Sequence, residues 1–144
     1  MASILAVCTS EKKGVRKKVV DEVVLKADYG LVGDAHAGPD GHRQVSLLAL
    51  ASIEKIQNLG LAVNPGDFAE NLTTEGLELF TLPLGTRLSV GQDIILEITQ
   101  IGKECHDRCD IFKQVGTCVM PTEGVFTRVI RGGKVTAGDK LEVV

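Results

Sequence analysis

Apolar and polar positions follow one another along this chain in short runs with tight turns between them. Ser3 to Cys8 is an apolar run of strand length. Val19 to Ala27 is a second, with Glu22 and Lys26 as solvent-facing positions among Val20, Val23, Val24 and Leu25. The connection Ser10–Lys18 carries Lys12, Lys13, Arg16, Lys17 and Lys18 and reads as a solvated turn, with a phosphate-binding edge as the alternative. Gly30 to Arg43 has neither helical nor strand period, and a loop of that length in a compact domain points to function. Gln44 to Leu48 reads as a short buried strand. Ala49 to Leu59 then sets Leu50, Ile53, Ile56 and Leu59 at helical spacing, with Gly60 as the residue that stops the helix.

Asn64 to Asp67 has turn composition, and Phe68–Thr74 and Leu77–Phe80 read as short strands. Asp93 to Ile101 is predicted as a buried strand. Asp107 is a plausible N-cap for a second helix over Arg108–Val115 that Gly116 ends. Val125–Arg131, a turn signal at Gly132-Gly133, and Leu141–Val144 complete the pattern. Gly85-x-x-Leu88-x-x-Gly91 and Gly132-x-x-Val135-x-x-Gly138 read as hairpin corners. These elements predict an all-β fold: a closed or partly closed β-barrel with a few short helical insertions, built by residues 1–144 as one domain.

Composition narrows the classes of function. Lys plus Arg is 16 and Asp plus Glu is 19, a formal net charge of −3 in 144 residues. That balance argues against a general binder of nucleic acid or anionic membrane. The run Ile4–Val7 is too short for a signal-peptide core, and nothing approaches the ~20 apolar residues of a membrane helix. The expectation is a cytoplasmic protein whose four cysteines serve as thiols, metal ligands or redox centres.

The densest chemistry is Lys103-Glu104-Cys105-His106-Asp107-Arg108-Cys109, at a predicted strand-to-helix junction. A helix N-terminus and flanking cations favour the thiolate of Cys105, the form that attacks sulfur, carries it or binds a soft metal. Cys109, one helical turn on, suits a resolving thiol or second ligand. Cys105, His106, Cys109 and Cys118 could instead hold structural zinc, or be inert buried thiols, although paired Cys-x-x-Cys knuckles are missing. Cys8 reads as core.

Two further segments carry candidate chemistry. In Gly33-Asp34-Ala35-His36-Ala37-Gly38 and Gly41-His42-Arg43-Gln44, glycines allow close approach to a ligand, Arg43 offers a fork for phosphate and His36 a donor or ligand nitrogen. The alternative is a surface loop whose His and Asp satisfy each other. Between Gly66 and Gly76, Glu70, Asn71, Thr73 and Thr74 could bond a polar heterocycle or simply form a capped turn and an edge strand.

Taken together, Gly30–Gly38, His42–Leu48, Gly66–Leu77 and Lys103–His106 resemble the MOSC family, the C-terminal domains of molybdenum cofactor sulfurases and their stand-alone relatives. The resemblance runs from about Ser3 to the last residue. It implies a β-barrel with a pocket for molybdenum cofactor (molybdopterin), and it matches Cys105 to the family's motif cysteine, a persulfide carrier or a molybdenum ligand. His106 and Cys109 are further candidate metal positions. Side-chain chemistry then assigns Arg43 and Lys103 to the phosphate end, and His36, Gln44, Glu70 and Asn71 to the pterin or the loop that shapes its pocket.

The implied activities are sulfurtransferase-like chemistry, molybdenum-dependent reduction of N-hydroxylated compounds with a separate electron-transfer partner, or storage and delivery without chemistry. The implied partners are cofactor biosynthesis proteins or a sulfur-donating desulfurase. No pyridoxal phosphate is expected on this domain. Ala69 stands where many relatives have Gly, which predicts a less permissive loop.

Overall fold

The strand β3 (Glu22–Lys26) shows how pattern becomes structure: Val23 and Leu25 are buried while Glu22, Val24 and Lys26 face out. The computed structural model describes residues 2–10, 16–34, 37–38, 41, 43–102 and 119–144. The predicted strand at Val19–Ala27 divides at Asp21, so that β2 (Lys18–Val20) and β3 enter different sheets.

The larger sheet has eight strands. They are ordered β11 (Leu141–Val143), β7 (Arg87–Val90), β8 (Ile94–Ile101), β9 (Val125–Arg131), β5 (Val45–Ala49), β6 (Leu72–Glu75), β1 (Ser3–Thr9) and β2. The smaller sheet is β10 (Gly133–Thr136), β3 and β4 (Gly30–Leu31). All pairings are antiparallel except β5 with β6, whose parallel pairing is crossed by α1 (Leu50–Gln57). The edge strand that is one alternative between Gly66 and Gly76 is not found there: β6 lies inside the sheet between β5 and β1.

A closed barrel is not formed: among the described residues the ladders leave the sheet open, with β11 and β2 at its edges. The reason lies at the second edge of β1. Its later half, Val7–Thr9, pairs with β2. Its earlier half meets only the approach to β11, through one isolated bridge, Ser3 to Lys140, and the bonds Ile4 N–H to Asp139 O (2.8 Å) and Gly138 N–H to Ile4 O (2.7 Å). The fold is β-rich, and its sheets are open and mixed.

Helix α1 forms where the spacing predicts it, burying Ser52, Ile53 and Ile56, with Gly60 at φ +98° just beyond its end. Leu59 falls outside the helix and is 55% exposed, so the buried stripe is narrower than the pattern implies. Leu77–Phe80 is not a strand: Leu79–Thr81 forms a 3-10 turn, and the Thr81 hydroxyl donates to the carbonyl of Glu78 at 3.0 Å. A one-turn helix α2 (Met120–Glu123) precedes β9. The helix expected over Arg108–Val115 lies outside the described residues.

Gly132 is not a hairpin corner. It hands the chain from β9 to β10 between the two sheets, and a side chain there would run into the carbonyl oxygen of Leu25. The Gly85–Gly91 motif does frame the β7–β8 hairpin, with Leu88 buried between.

Two apolar clusters flank the large sheet. One is mainly aliphatic and includes Ile4, Val7, Val45, Leu47, Leu72, Leu88, Leu96 and Val125. The other, under α1, joins Leu48, Ile53, Ile56, Val63, Phe68, Val119 and Phe126. Strand alternation assigns Leu47 to the first and Leu48 to the second. No helix of the described residues is long and apolar enough to cross a membrane.

Candidate functional site

Arg43 lies two residues ahead of β5, and its position is set by the ladder. Gln44 N–H donates to Thr127 O at 3.0 Å, extending the β5–β9 pairing by one step. The exposed guanidinium of Arg43 then lies over the Phe126 ring, 5.8 Å from its centroid. Phe126 pairs with Ser46 on one side and Gln100 on the other. Gly102 N–H bonds Gly124 O at 2.7 Å and carries the β8–β9 alignment to Gly102. The cation of Arg43 therefore reaches across to Phe126, whose strand partner Gln100 lies near the end of β8. Lys103, Cys105, His106, Cys109, Cys118, His36 and His42 themselves lie outside the described residues.

Gln44, Glu70 and Asn71 are 0%, 0% and 1% exposed. Gln44 accepts Val129 N–H at 3.0 Å through Oε1 and directs Nε2 at Asp28 Oδ1 (3.3 Å). Asn71 fastens three strands: its Oδ1 accepts Ser46 N–H (3.0 Å), its Nδ2 donates to Cys8 O (3.3 Å), and its own N–H donates to Ser46 O (2.9 Å). Glu70 Oε2 accepts the Thr73 hydroxyl at 2.6 Å, while Oε1 has no hydrogen-bond partner. Burial raises the Glu70 pKa, against the opposing pull of Thr73 and the backbone N–H groups of Gly66, Glu70 and Phe68.

Cys8 is core, as its strand position predicts. It is fully buried, and its thiol pKa is pushed up to about 12, first by burial and then by the nearby Glu70 carboxyl. It is an inert thiol. Gly66, at φ +90°, lets the 66–69 turn pass close over this sulfur, since a side chain there would strike the carbonyl oxygen of Lys17. Ala69 adopts φ +63°, the left-handed conformation that its departure from Gly makes costly.

Lys17 corrects the reading of the basic connection as a solvated turn. Its ammonium is buried against Asp34 at 2.8 Å, both side chains fully covered, and Asp34 also accepts Thr9 Oγ1 and Ser10 N–H at 3.1 Å. Asp34 is thus tied to Lys17 and β1, which fixes the chain at Asp34. Arg16 remains half-exposed and pairs with Asp67 at 3.3 Å.

Among the described residues no group of three or more His, Cys, Asp or Glu could hold a metal ion. A groove of about 470 Å³ beside α1 is walled by Glu54, Glu75, Glu78 and Glu123 with Lys55, and none of the predicted site residues lines it. Its carboxylates would repel a phosphate. Phe126 and Ser46, which seat Arg43 and receive Asn71, were not singled out by the sequence. The signal for Phe126 is faint but present, as one of only four phenylalanines in a chain without tryptophan.

A family model described as MOSC domain matches residues 32–142. No curated protein matches the sequence. Solved structures share the fold. The YuaD protein from Bacillus subtilis superposes with TM-score 0.79 at 20% identity, covering 99% of this chain and 96% of that one. YiiM from Geobacillus stearothermophilus gives 0.74 at 17%, covering 100% and 75%. YiiM from Escherichia coli gives 0.66 at 24%, covering 100% and 70%.

Proposed function

Because the chain belongs to the MOSC domain family, we propose that it binds molybdenum cofactor and presents Cys105 to it, as a ligand or as the carrier of a transferable sulfur. The observation that carries this reading is Arg43. Its guanidinium is exposed on Phe126 and makes no ion pair among the described residues, at the level where β8 delivers the chain toward Lys103 and Cys105. A planar fork held on an aromatic ring suits a phosphate.

When bound, the cofactor supplies a soft metal that a thiolate can ligate or hand sulfur to. Arg43 and Lys103 take the phosphate end, and His36 takes the pterin or shapes its pocket. Gln44, Glu70 and Asn71 act by shaping the pocket, since the bonds of Gln44 and Asn71 and the burial of Glu70 turn all three inward. His106 and Cys109 are the further metal positions. The partners of this reading are a cofactor biosynthesis protein or a sulfur-donating desulfurase, in a cytoplasmic setting.

The test is to incubate reduced protein with molybdenum cofactor, remove free ligand, and measure molybdenum and zinc per chain. Wild type is expected to retain molybdenum, Cys105→Ser to lose it, and Arg43→Ala to retain less. Zinc without molybdenum, or equal molybdenum in wild type and Cys105→Ser, would overturn the reading.

A further inference from the structure

We propose that Glu70 is a proton-held latch: protonated, it closes the 66–71 turn against β1 and β6, and on releasing its proton to water it opens that seam. The carboxyl has no solvent exposure; Oε2 accepts the Thr73 hydroxyl, and the N–H groups of Gly66, Phe68 and Glu70 face the carboxyl, but Oε1 has no hydrogen-bond partner. A buried carboxylate with a vacant acceptor and no cation in contact is a costly species, whereas the neutral acid tolerates the same cavity. The 2.6 Å contact with the Thr73 hydroxyl suits a carboxyl that shares a proton along that line.

The charged and titratable groups around the seam give the carboxylate no relief. Cys8 faces it from β1 as a neutral thiol. Lys17 approaches Cys8 from the segment before β2, but its ammonium is held by Asp34. Asp67, on the same turn as Glu70, is paired with Arg16 and adds negative charge. Thr73 of β6 does not ionise. The turn itself is strained at Ala69, so its closure depends on contacts such as this one. The neighbouring residue, Asn71, fastens Ser46 and Cys8, which joins the latch to the strand start behind Arg43.

Amide hydrogen exchange across residues 66–73, corrected for intrinsic rates, tests this on wild type and Glu70→Gln over a pH series. In wild type, protection is expected to fall by up to about tenfold per pH unit between the ordinary carboxyl range and the raised value of the closed state, the slope of a one-proton opening. In Glu70→Gln it is expected to stay flat, and the β7–β8 hairpin to stay flat in both proteins. Isotope-edited infrared spectra of wild type read the same proton without a variant, with the Glu70 acid band expected to persist to higher pH than that of the exposed carboxyls. Spectra in which Glu70 ionises together with the exposed carboxyls, or the same pH slope in Glu70→Gln as in wild type, would overturn the latch.

Discussion

The two faces of the eight-stranded sheet are built from different material. One packs Leu47, Leu72, Leu88 and Leu96 into an aliphatic layer. The other sets Ser46, Asn71, Thr73, Glu70 and Cys8 beside Leu48 and Phe126, under a turn with two left-handed residues, Gly66 and Ala69. The first face gains from area removed from water, and any residue of the right volume serves it. The second depends on specific bonds, where each missing partner leaves a desolvated atom. The difference teaches where function is accommodated. The irregular 66–69 backbone and the Ser46–Asn71–Glu70 groups lie on the side that also carries Arg43, while the aliphatic side, whose buried polar residues include Thr74 and Thr127, supplies the rigidity against which they are held.

That contrast can be broken or sharpened by four measurements. Leu96→Ala, on the aliphatic face, is expected to lose about 4 kcal/mol, read from the midpoint of urea unfolding. Asn71→Ala is expected to lose about 3 kcal/mol, because it strands Ser46 N–H and the Cys8 carbonyl. Paired with Ser46→Ala it should cost clearly less than the sum, since both belong to one network. Additive losses would mean that the polar face is a set of independent contacts.

The third measurement is the pH dependence of unfolding free energy. Glu70 has a raised pKa, so the folded state holds its proton more tightly than the unfolded chain does. Its contribution is full below the ordinary carboxyl range and is lost as pH rises through the raised value. Glu70→Gln should remove that decline. Cys8 adds a second decline of the same sign, from the ordinary thiol value of 9.0 up to about 12. The smallest expected effect is a gain: Ala69→Gly should stabilise by about 0.5–1 kcal/mol by relieving the left-handed conformation, visible as a rise in Tm.

Much of the architecture was legible because it rests on local pattern. The spacing of Ile53 and Ile56 marks α1, and the apolar run from Ile94 marks β8. What escaped depends on partners distant in sequence. Lys17 looks solvated until Asp34 comes beside it, and β6 looks like an edge until β5 pairs with it in parallel. Leu77–Phe80 has strand composition, but a side-chain bond to the backbone tightens the segment into a turn. In the candidate site, Arg43 was visible as chemistry. Its seat on Phe126 was not, because only the register of β5 and β9 brings them together. Side-chain chemistry assigns Gln44 and Asn71 to the pterin or to the loop that shapes its pocket; Gln44 bonds Val129 N–H and Asp28, and Asn71 bonds Ser46 and Cys8, partners their polarity alone does not identify.

The divided edge of β1 has a consequence for how the molecule is made. This strand comes early in the chain, yet its neighbours on either side include residues 72–75 of β6 and the 138–141 segment before and at the start of β11. During synthesis β2 can pair with the later half of β1 at once, but the first half must wait as an unpaired, largely apolar edge, open to pairing with another nascent chain. Of all the strands of the large sheet, the one that leaves the ribosome first is among the last to be enclosed.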